Sequence, residues 1–375
     1  MAGSLDANFG AGGMSHPYRD LSDSHFWSRA VAGPAPHELD PVVEASFQVA
    51  PEDQVATLGS CFAQNLSRYL QRSGLGYLVT EPGPEEADAA ERRRRSYGVF
   101  SARYGNVYTV RQAVQLFDLA YGQWSGCEEQ WRRDDGSWVD PLRPTVEPDG
   151  FASLEGLEAD RQSHLAAVRR VFEDASVIVF TLGLTEGWRS RMDGALFPVV
   201  PGAAGGAFDP ERHEFVNFHV GEVTADLLEF ADRVHTVNPG ARVLLTVSPV
   251  PLIATYSDRH VLTATTYSKS VLRVAAAQAE RARDFVDYFP AYEIVTSAAS
   301  GGHYFAPDLR SVTDDGVAHV MRVFRRHYIA GGEDPESASE AGALAAEFAR
   351  VNDVMCDEEL LDPATAAANG EPGRG

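Results

Sequence analysis

The run Val55-Ala-Thr-Leu-Gly-Ser-Cys-Phe-Ala-Gln64 restricts this chain more than any other segment. Val55 to Leu58 suit a buried strand, and Gly59-Ser60-Cys61 follows without a spacer. An apolar helical pattern then starts at once, through Phe62, Leu66, Tyr69 and Leu70. A strand that turns into a helix within two or three residues holds the turn side chains at the C-terminal edge of a sheet. Open α/β sheets bind ligands and carry out chemistry at that edge. This turn presents a hydroxyl and a thiol beside a helix N-terminus, whose dipole lowers a thiol pKa. Such a setting suits covalent nucleophilic catalysis.

The rest of the chain repeats the alternation. Val177-Ile-Val-Phe-Thr-Leu182 reads as a buried strand, uncharged and largely β-branched. Arg242 to Ser248 reads as another, Tyr292 to Val295 as a last short one, and Tyr77 to Thr80 as a candidate second strand. Helical periodicity runs over Phe62–Arg72, Val110–Tyr121, Leu154–Phe172, Val223–His235, Thr265–Arg283 and Asp314–His327, with Gly74-Leu-Gly76 ending the first helix. Strands that alternate with helices imply a mainly parallel sheet covered on both faces. The charged stretch Glu81 to Ser96 has no apolar face and is expected to be a solvated loop or short exposed helix. Residues 123–150 and 189–220 read as insertions. The expected organisation is a disordered N-terminus over 1–15, a domain over 16–330 and an acidic tail over 331–375, one helix with a disordered, solubilising end.

The 375 residues are 44% hydrophobic, enough for a sizeable core, and carry a net charge of −22. A field of that sign repels nucleic acid and anionic membranes, which excludes both as partners apart from a local exception at Arg92 to Arg95. Cys61, Cys127 and Cys356 are too few and too scattered for a disulfide framework or a zinc site, and they fit a reducing compartment. Met1 to Ser15 lacks the basic start and apolar stretch of a signal peptide, and no apolar run approaches the ~18 residues of a membrane span. The expected setting is the cytoplasm. The histidines show no ligand spacing and there is no dinucleotide fingerprint, so neither metal nor cofactor is expected.

Gly59-Ser60-Cys61-Phe62-Ala63 spells the signature of the GSCFA domain family. Tyr104-Gly-Asn-Val-Tyr-Thr109, Thr181-Leu-Gly-Leu-Thr-Glu186, Thr246-Val-Ser-Pro-Val-Pro-Leu252 and Thr266-Tyr-Ser-Lys-Ser270 also resemble that family, from about His16 to about Tyr328. GSCFA domains are similar to SGNH (GDSL-type) hydrolases. The resemblance implies a three-layer α/β/α, flavodoxin-like fold and esterase or acyltransferase chemistry on acylated sugars, lipids or similar small molecules. Laid on the Gly-Asp-Ser block of those enzymes, Cys61 takes the nucleophile position and Ser60 the Asp position, so Cys61 is the first candidate nucleophile and Ser60 the second, although Cys61 also reads as a small buried packing residue. Gly105 and Asn106 resemble the oxyanion-hole block, although Asn106 also suits a left-handed turn position. Gly183, Thr185 and Glu186 lie where the relatives have Gly-x-Asn-Asp, with Thr185 in place of the Asn. Glu186 reads equally as a structural acceptor for loop N–H groups. In the last block, Asp-x-x-His-Pro, Asp308 is retained but Ser311 stands in the His position, and serine is no base near neutral pH.

A replacement base must come from elsewhere. His303 shares the loop of Asp308, and His260 lies in the loop after Thr246–Leu252, and each reads equally as a plain loop histidine. His319 reads as a satisfied helix histidine. Lys269 reads as a surface charge or ion-pair partner, and as a base only if buried with a lowered pKa. Three functions remain open: an acyl-transfer enzyme with an accessible, activated Cys61; a catalytically degenerate domain that binds a glycan or acylated ligand; and a partner subunit using the acidic tail. The two insertions are candidate lids, with Trp124, Trp131, Trp138, Phe197 and Phe208 as a candidate acceptor pocket.

Overall fold

The computed structural model of the chain describes residues 16–72, 75–332 and 356–362. Its centre is a four-stranded, all-parallel sheet of β1 (Val55–Gly59), β2 (Val177–Leu182), β3 (Arg242–Val247) and β4 (Val286–Tyr288), paired in that order. Val55 faces Val177, which in turn faces Arg242, so the strands start level and their C-terminal ends share one edge. On the far side of β1 the chain makes one further parallel bridge, Val55 to Tyr77. The winding therefore reverses at β1, and the crevice that open sheets use for ligands falls beside its end.

Burial explains the strands. All six residues of β2 are buried and alternate between two cores. Ile178, Phe180 and Leu182 join Ala56, Leu58, Val243 and Leu245 on one face. Helices α2 (Val110–Ala120), α3 (Leu154–Asp174), α4 (Val220–Val237) and α5 (Val261–Ala282) cover that face. Val177 and Val179 point the other way, to α1 (Ala63–Arg72), α6 (Ala291–Thr296) and α7 (Asp314–Tyr328). The result is three layers, α/β/α. Local chemistry sets the helix starts: Thr109 and Gln112 form a capping box on α2, and Thr313 caps α7 through the Gly316 amide.

The structure departs from the sequence reading at several places. Tyr292–Val295 lies in α6; Ala291, Ile294 and Val295 are buried at helical spacing, and the last strand is the preceding Val286–Tyr288. Tyr77–Thr80 contributes a single bridge rather than a strand. Residues 123–150 carry a hairpin, Trp131–Arg132 with Trp138–Val139, and 186–217 a three-stranded antiparallel sheet of Glu186–Ser190, Leu196–Phe197 and His213–Asn217. Gly74 at the end of α1, the reading of 1–15, and most of the tail lie outside the described residues. Within the tail, Asp357–Leu361 forms a short 3-10 helix whose Asp357 and Glu358 are buried against the body, which corrects the expectation of a purely solubilising end.

The stretch from Glu81 to Ser96 is only partly solvated. It holds the exposed helix Ala89–Arg94, but Glu81 is half-buried and accepts from His164 at 2.9 Å and from the Arg103 amide at 2.8 Å. Arg103 is fully buried and bonds Glu147 and Asp160, both at 2.7 Å. Asp160, on α3, also takes Arg143 at 2.6 Å, and Arg143 takes Asp140 at 2.9 Å. Burial works against the Asp140 charge, but Arg143 and Arg161 hold it down to about 2. This charge network fastens the 123–150 insertion to α3.

His319 fits the satisfied-histidine reading. Its Nε2 donates to the Leu39 carbonyl at 2.8 Å and its Nδ1 accepts from the Tyr304 hydroxyl at 2.7 Å. Burial, with Arg322 beside it, pushes its pKa down to about 4, against a weaker opposing pull from Asp40. The folded chain thus binds fewer protons here than the unfolded chain between pH ~4 and ~6.5, so this contribution is complete above ~6.5 and is lost as pH falls. In urea titrations, the stability difference between wild type and His319→Gln is expected to narrow by ~3 kcal/mol from pH ~6.5 to ~4; a constant difference refutes the assignment. Gly59 has φ +131°, and a Cβ there would lie 2.3 Å from the Thr181 carbonyl oxygen. Gly59→Ala is expected to lower the unfolding free energy by at least ~3 kcal/mol, read by the same titration.

Candidate active site

Three segments meet at the C-terminal end of β1. The Ser60 amide donates to the Thr181 carbonyl at 3.0 Å, and the Val107 amide to the Gly59 carbonyl at 2.8 Å. The amides of Gly183 and Leu184 both donate to the Tyr108 carbonyl, at 3.1 and 2.9 Å. Gly183 has no room for a side chain, because a Cβ would lie 2.9 Å from the Ser60 Cβ and 3.0 Å from the Tyr108 carbonyl oxygen. Ser60 and Cys61 then open the turn into α1, their carbonyls accepting from the amides of Ala63 and Gln64. The Ser60 hydroxyl is buried and finds no hydrogen-bond partner among the described residues.

Cys61 is 2% exposed, contrary to the expectation of an accessible thiol. The cover comes from the tail. The Cys356 thiol hydrogen-bonds to that of Cys61, and this contact together with burial drives the Cys356 pKa well up. The Asp357 amide donates to the Tyr108 hydroxyl at 3.0 Å. Its carboxylate accepts from Asn106 Nδ2 at 3.1 Å and from Thr145 Oγ1 at 2.5 Å. Glu358 accepts from Arg310 Nη2 at 3.1 Å. Burial raises both tail carboxyls, against the pull of Thr145 and Asn106 on Asp357 and of Arg310 and Lys269 on Glu358.

Lys269 corrects a second expectation. It is 1% exposed, with Nζ donating to the Gly183 carbonyl at 2.7 Å. Burial, reinforced by Arg310, lowers its pKa to about 8, and the opposing attraction comes from Glu358 and Cys61. Arg310 faces the same groups. Burial opposes its charge, but Glu358, Cys356 and Cys61 outweigh that and raise its pKa. A thiol, an amine and a guanidinium therefore share one enclosed field at a helix N-terminus.

The remaining predicted residues divide. Asn106 joins the cluster, reaching Asp357 and, at 3.5 Å, Gln64 on the first turns of α1. Gly105 supports it from a left-handed conformation at φ +69°. Thr185 and Glu186 are engaged with the 186–217 sheet. The Thr185 hydroxyl donates to Asn217 at 2.7 Å, and Glu186 accepts from Thr255 at 2.8 Å, with burial raising its pKa. His260 caps α5 and is exposed. His303 is exposed and bonds the Ser300 carbonyl at 2.9 Å, and the exposed Asp308 accepts from Ser311 at 2.6 Å. None of these three makes a described contact with Cys61. Sequence reading missed Arg310, Tyr108 and Cys356–Glu358, and it named Lys269 as a base only on the condition of burial, which the structure meets. Lys269 had a signal, since it lies three and seven residues before Leu272 and Ala276 on the buried stripe of α5.

Beside the cluster, a cavity of about 390 Å³ opens between α2, α3 and the 123–150 insertion, lined by Leu116, Leu119, Trp124, Leu142 and His164. A smaller one of about 30 Å³, which shares Tyr104, Leu116, Leu119 and Leu142, reaches Asn106. Of the candidate acceptor aromatics, Trp124 lines the larger cavity. Trp131 and Phe197 are buried against each other with ring centroids 5.1 Å apart, and Phe208 packs on Trp188 at 5.2 Å. Among the described residues no helix is long and apolar enough to cross a membrane.

No curated protein matches the chain. One solved structure it resembles is a carbohydrate esterase family 2 enzyme plus carbohydrate binding domain from Corynascus thermopiles (Myceliophthora fergusii), at 14% identity and a TM-score of 0.25, over 86% of this chain and 68% of that one. A likeness at that score bears on neither fold nor function. Residues 54–324 match the GSCFA family, and they include β1, the Gly59-Ser60-Cys61 turn, Asn106, Gly183 and Lys269. The chain belongs to the GSCFA family.

Proposed function

We propose that this chain is an acyl-transfer enzyme, an esterase-type hydrolase or O-acyltransferase, working through a thioester on Cys61 within an SGNH-like, flavodoxin-like domain over 16–330. The observation that carries this reading is a thiol at a strand-to-helix turn sharing an enclosed field with the buried amine of Lys269. Of the two candidate nucleophiles, Ser60 packs against Gly183, whereas Cys61 meets the cluster.

The chemistry runs in two halves. Neutral Lys269 accepts the Cys61 proton, and the thiolate attacks the carbonyl carbon of the acyl donor. The tetrahedral oxyanion takes Asn106 Nδ2, the donor that now holds an Asp357 oxygen at 3.1 Å. The intermediate collapses to a thioester, and the leaving alkoxide takes the proton from Lys269. Water or an acceptor hydroxyl then attacks the thioester and restores the thiol. In this reading Gly105, Gly183, Thr185 and Glu186 position the loops, and neither His260, His303 nor Asp308 takes part.

The second reading is a non-catalytic domain that binds a glycan or acylated ligand. Ser311 in the expected histidine position and the covered Cys61 favour it. One experiment separates the two. The whole chain is incubated with p-nitrophenyl acetate, quenched in acid and analysed by peptide mass. One acetyl group on the Cys61 peptide is expected, lost in Cys61→Ala and kept in Ser60→Ala; no adduct in any chain supports the binding domain. Because Lys269 must be neutral to act, acylation should rise with pH through about 8, the value set by its burial. Lys269→Met should slow it by ~10²-fold or more and remove that rise.

A further inference from the structure

Two cations are buried at this site, and both need an anion. Lys269 is fully enclosed and Arg310 is mostly so, with its side chain 14% exposed. A buried cation is costly unless an opposite charge and hydrogen bonds compensate it. The carboxylate that meets Arg310 among the described residues is Glu358, from a segment distant in sequence. Its fit is incomplete. Glu358 takes only Nη2 of the guanidinium, and Arg310 Nε is buried with no hydrogen-bond partner. A guanidinium edge of Nε and Nη2 matches the two oxygens of one carboxylate in parallel, the stronger and more specific arrangement. The neighbouring Ser60 hydroxyl is likewise unsatisfied. Beside Glu358, Asp357 places a carboxylate oxygen on Asn106 Nδ2 at 3.1 Å, where a reacting acyl oxygen would sit.

We propose that the site takes a substrate bearing a carboxylate, seated on the Nε and Nη2 edge of Arg310 beside Lys269, and that Cys356-Asp357-Glu358 is the chain's own occupant of that seat. The inference rests on the acyl-transfer reading, because it places the substrate's charged group next to the Cys61 sulfur. The tail then resembles a bound substrate in outline: one carboxylate at the cation pair, a second oxygen at the oxyanion donor, and a sulfur against the nucleophile. Burial raises the pKa of both tail carboxyls, so this occupant is held at a cost that a bidentate carboxylate need not meet.

The test is charge-selective alkylation of the whole chain carrying Cys356→Ser, so that Cys61 is read against the exposed Cys127 as internal standard. Asp357→Asn with Glu358→Gln loosens the occupant without changing its size. Free thiolates react faster with neutral iodoacetamide than with anionic iodoacetate. In the loosened chain the order at Cys61 is expected to reverse, and adding Arg310→Gln should cost iodoacetate roughly tenfold or more while sparing iodoacetamide. With Arg310 intact, malonate should protect Cys61 from iodoacetamide, whereas phosphate or chloride at equal ionic strength should not. This second arm does not depend on the Arg310 variant folding. If Cys61 labels readily but iodoacetamide stays faster and malonate gives no protection, the carboxylate seat is wrong and the nucleophile stands. If phosphate protects as well as malonate, the seat is a general anion site and the carboxylate assignment falls. If Cys127 labels and Cys61 reacts with neither reagent, the acyl-transfer reading fails, and this inference with it.

Discussion

Everything at the sheet edge depends on backbone packed closer than side chains allow. Gly59 lies against the Thr181 carbonyl, and Gly183 is wedged between Ser60 and Tyr108. With no Cβ at either position, β1, β2 and the 105–108 segment come together within hydrogen-bond distance. Ser60 and Cys61 emerge from that knot at the first turn of α1, and Asn106 and Tyr108 are carried to the same spot by the crossing segment. The chemistry of the site is thus set by where glycine stands in two strands' ends.

That close approach also explains the electrostatics. The knot turns the Gly183 carbonyl toward α5, where it is the acceptor for Lys269 Nζ at 2.7 Å. A lysine held this way keeps a hydrogen bond while losing water, which lowers its pKa without leaving it unsatisfied. Arg310 approaches from the loop before α7, on the opposite face of the sheet. The cation pair therefore bridges the two layers across the sheet's edge, and an anion there joins both.

Much of the scaffold was legible because burial writes itself into strands. Val177–Leu182 appeared with its correct bounds, and the long helices were found with ends shifted by a few residues. The turn at Gly59-Ser60-Cys61 followed from a strand running straight into a helix, whereas the placing of Asn106 and Gly183 beside it came from the family resemblance. Short elements were harder, as Ala291–Thr296 shows: one and a half turns of apolar residues read as well in period two as in period 3.6. Long-range partners left still less trace. Lys269 was legible only through its place on the stripe of α5, and nothing local to Cys356-Asp357-Glu358 says that these charges are buried beside Cys61. The expectation of an imidazole near Asp308 followed a pattern whose histidine position holds Ser311, whereas the group that meets Cys61 is a second thiol, with the Lys269 amine in the same electrostatic field.

The ion network around Arg103 has a mechanical consequence. Arg103, Arg143, Asp140 and Asp160 are tied in series, and two of them, Asp140 and Arg143, line the larger cavity. Prying the 123–150 insertion away from α3 would strand buried charges, at a cost of several kcal/mol per broken pair. Thermal energy does not supply that, so the insertion and α3 form one stiff wall of the larger cavity. The 3-10 turn at Asp357–Leu361 lies outside that series and is held to the site by single hydrogen bonds to Tyr108, Asn106, Thr145 and Arg310.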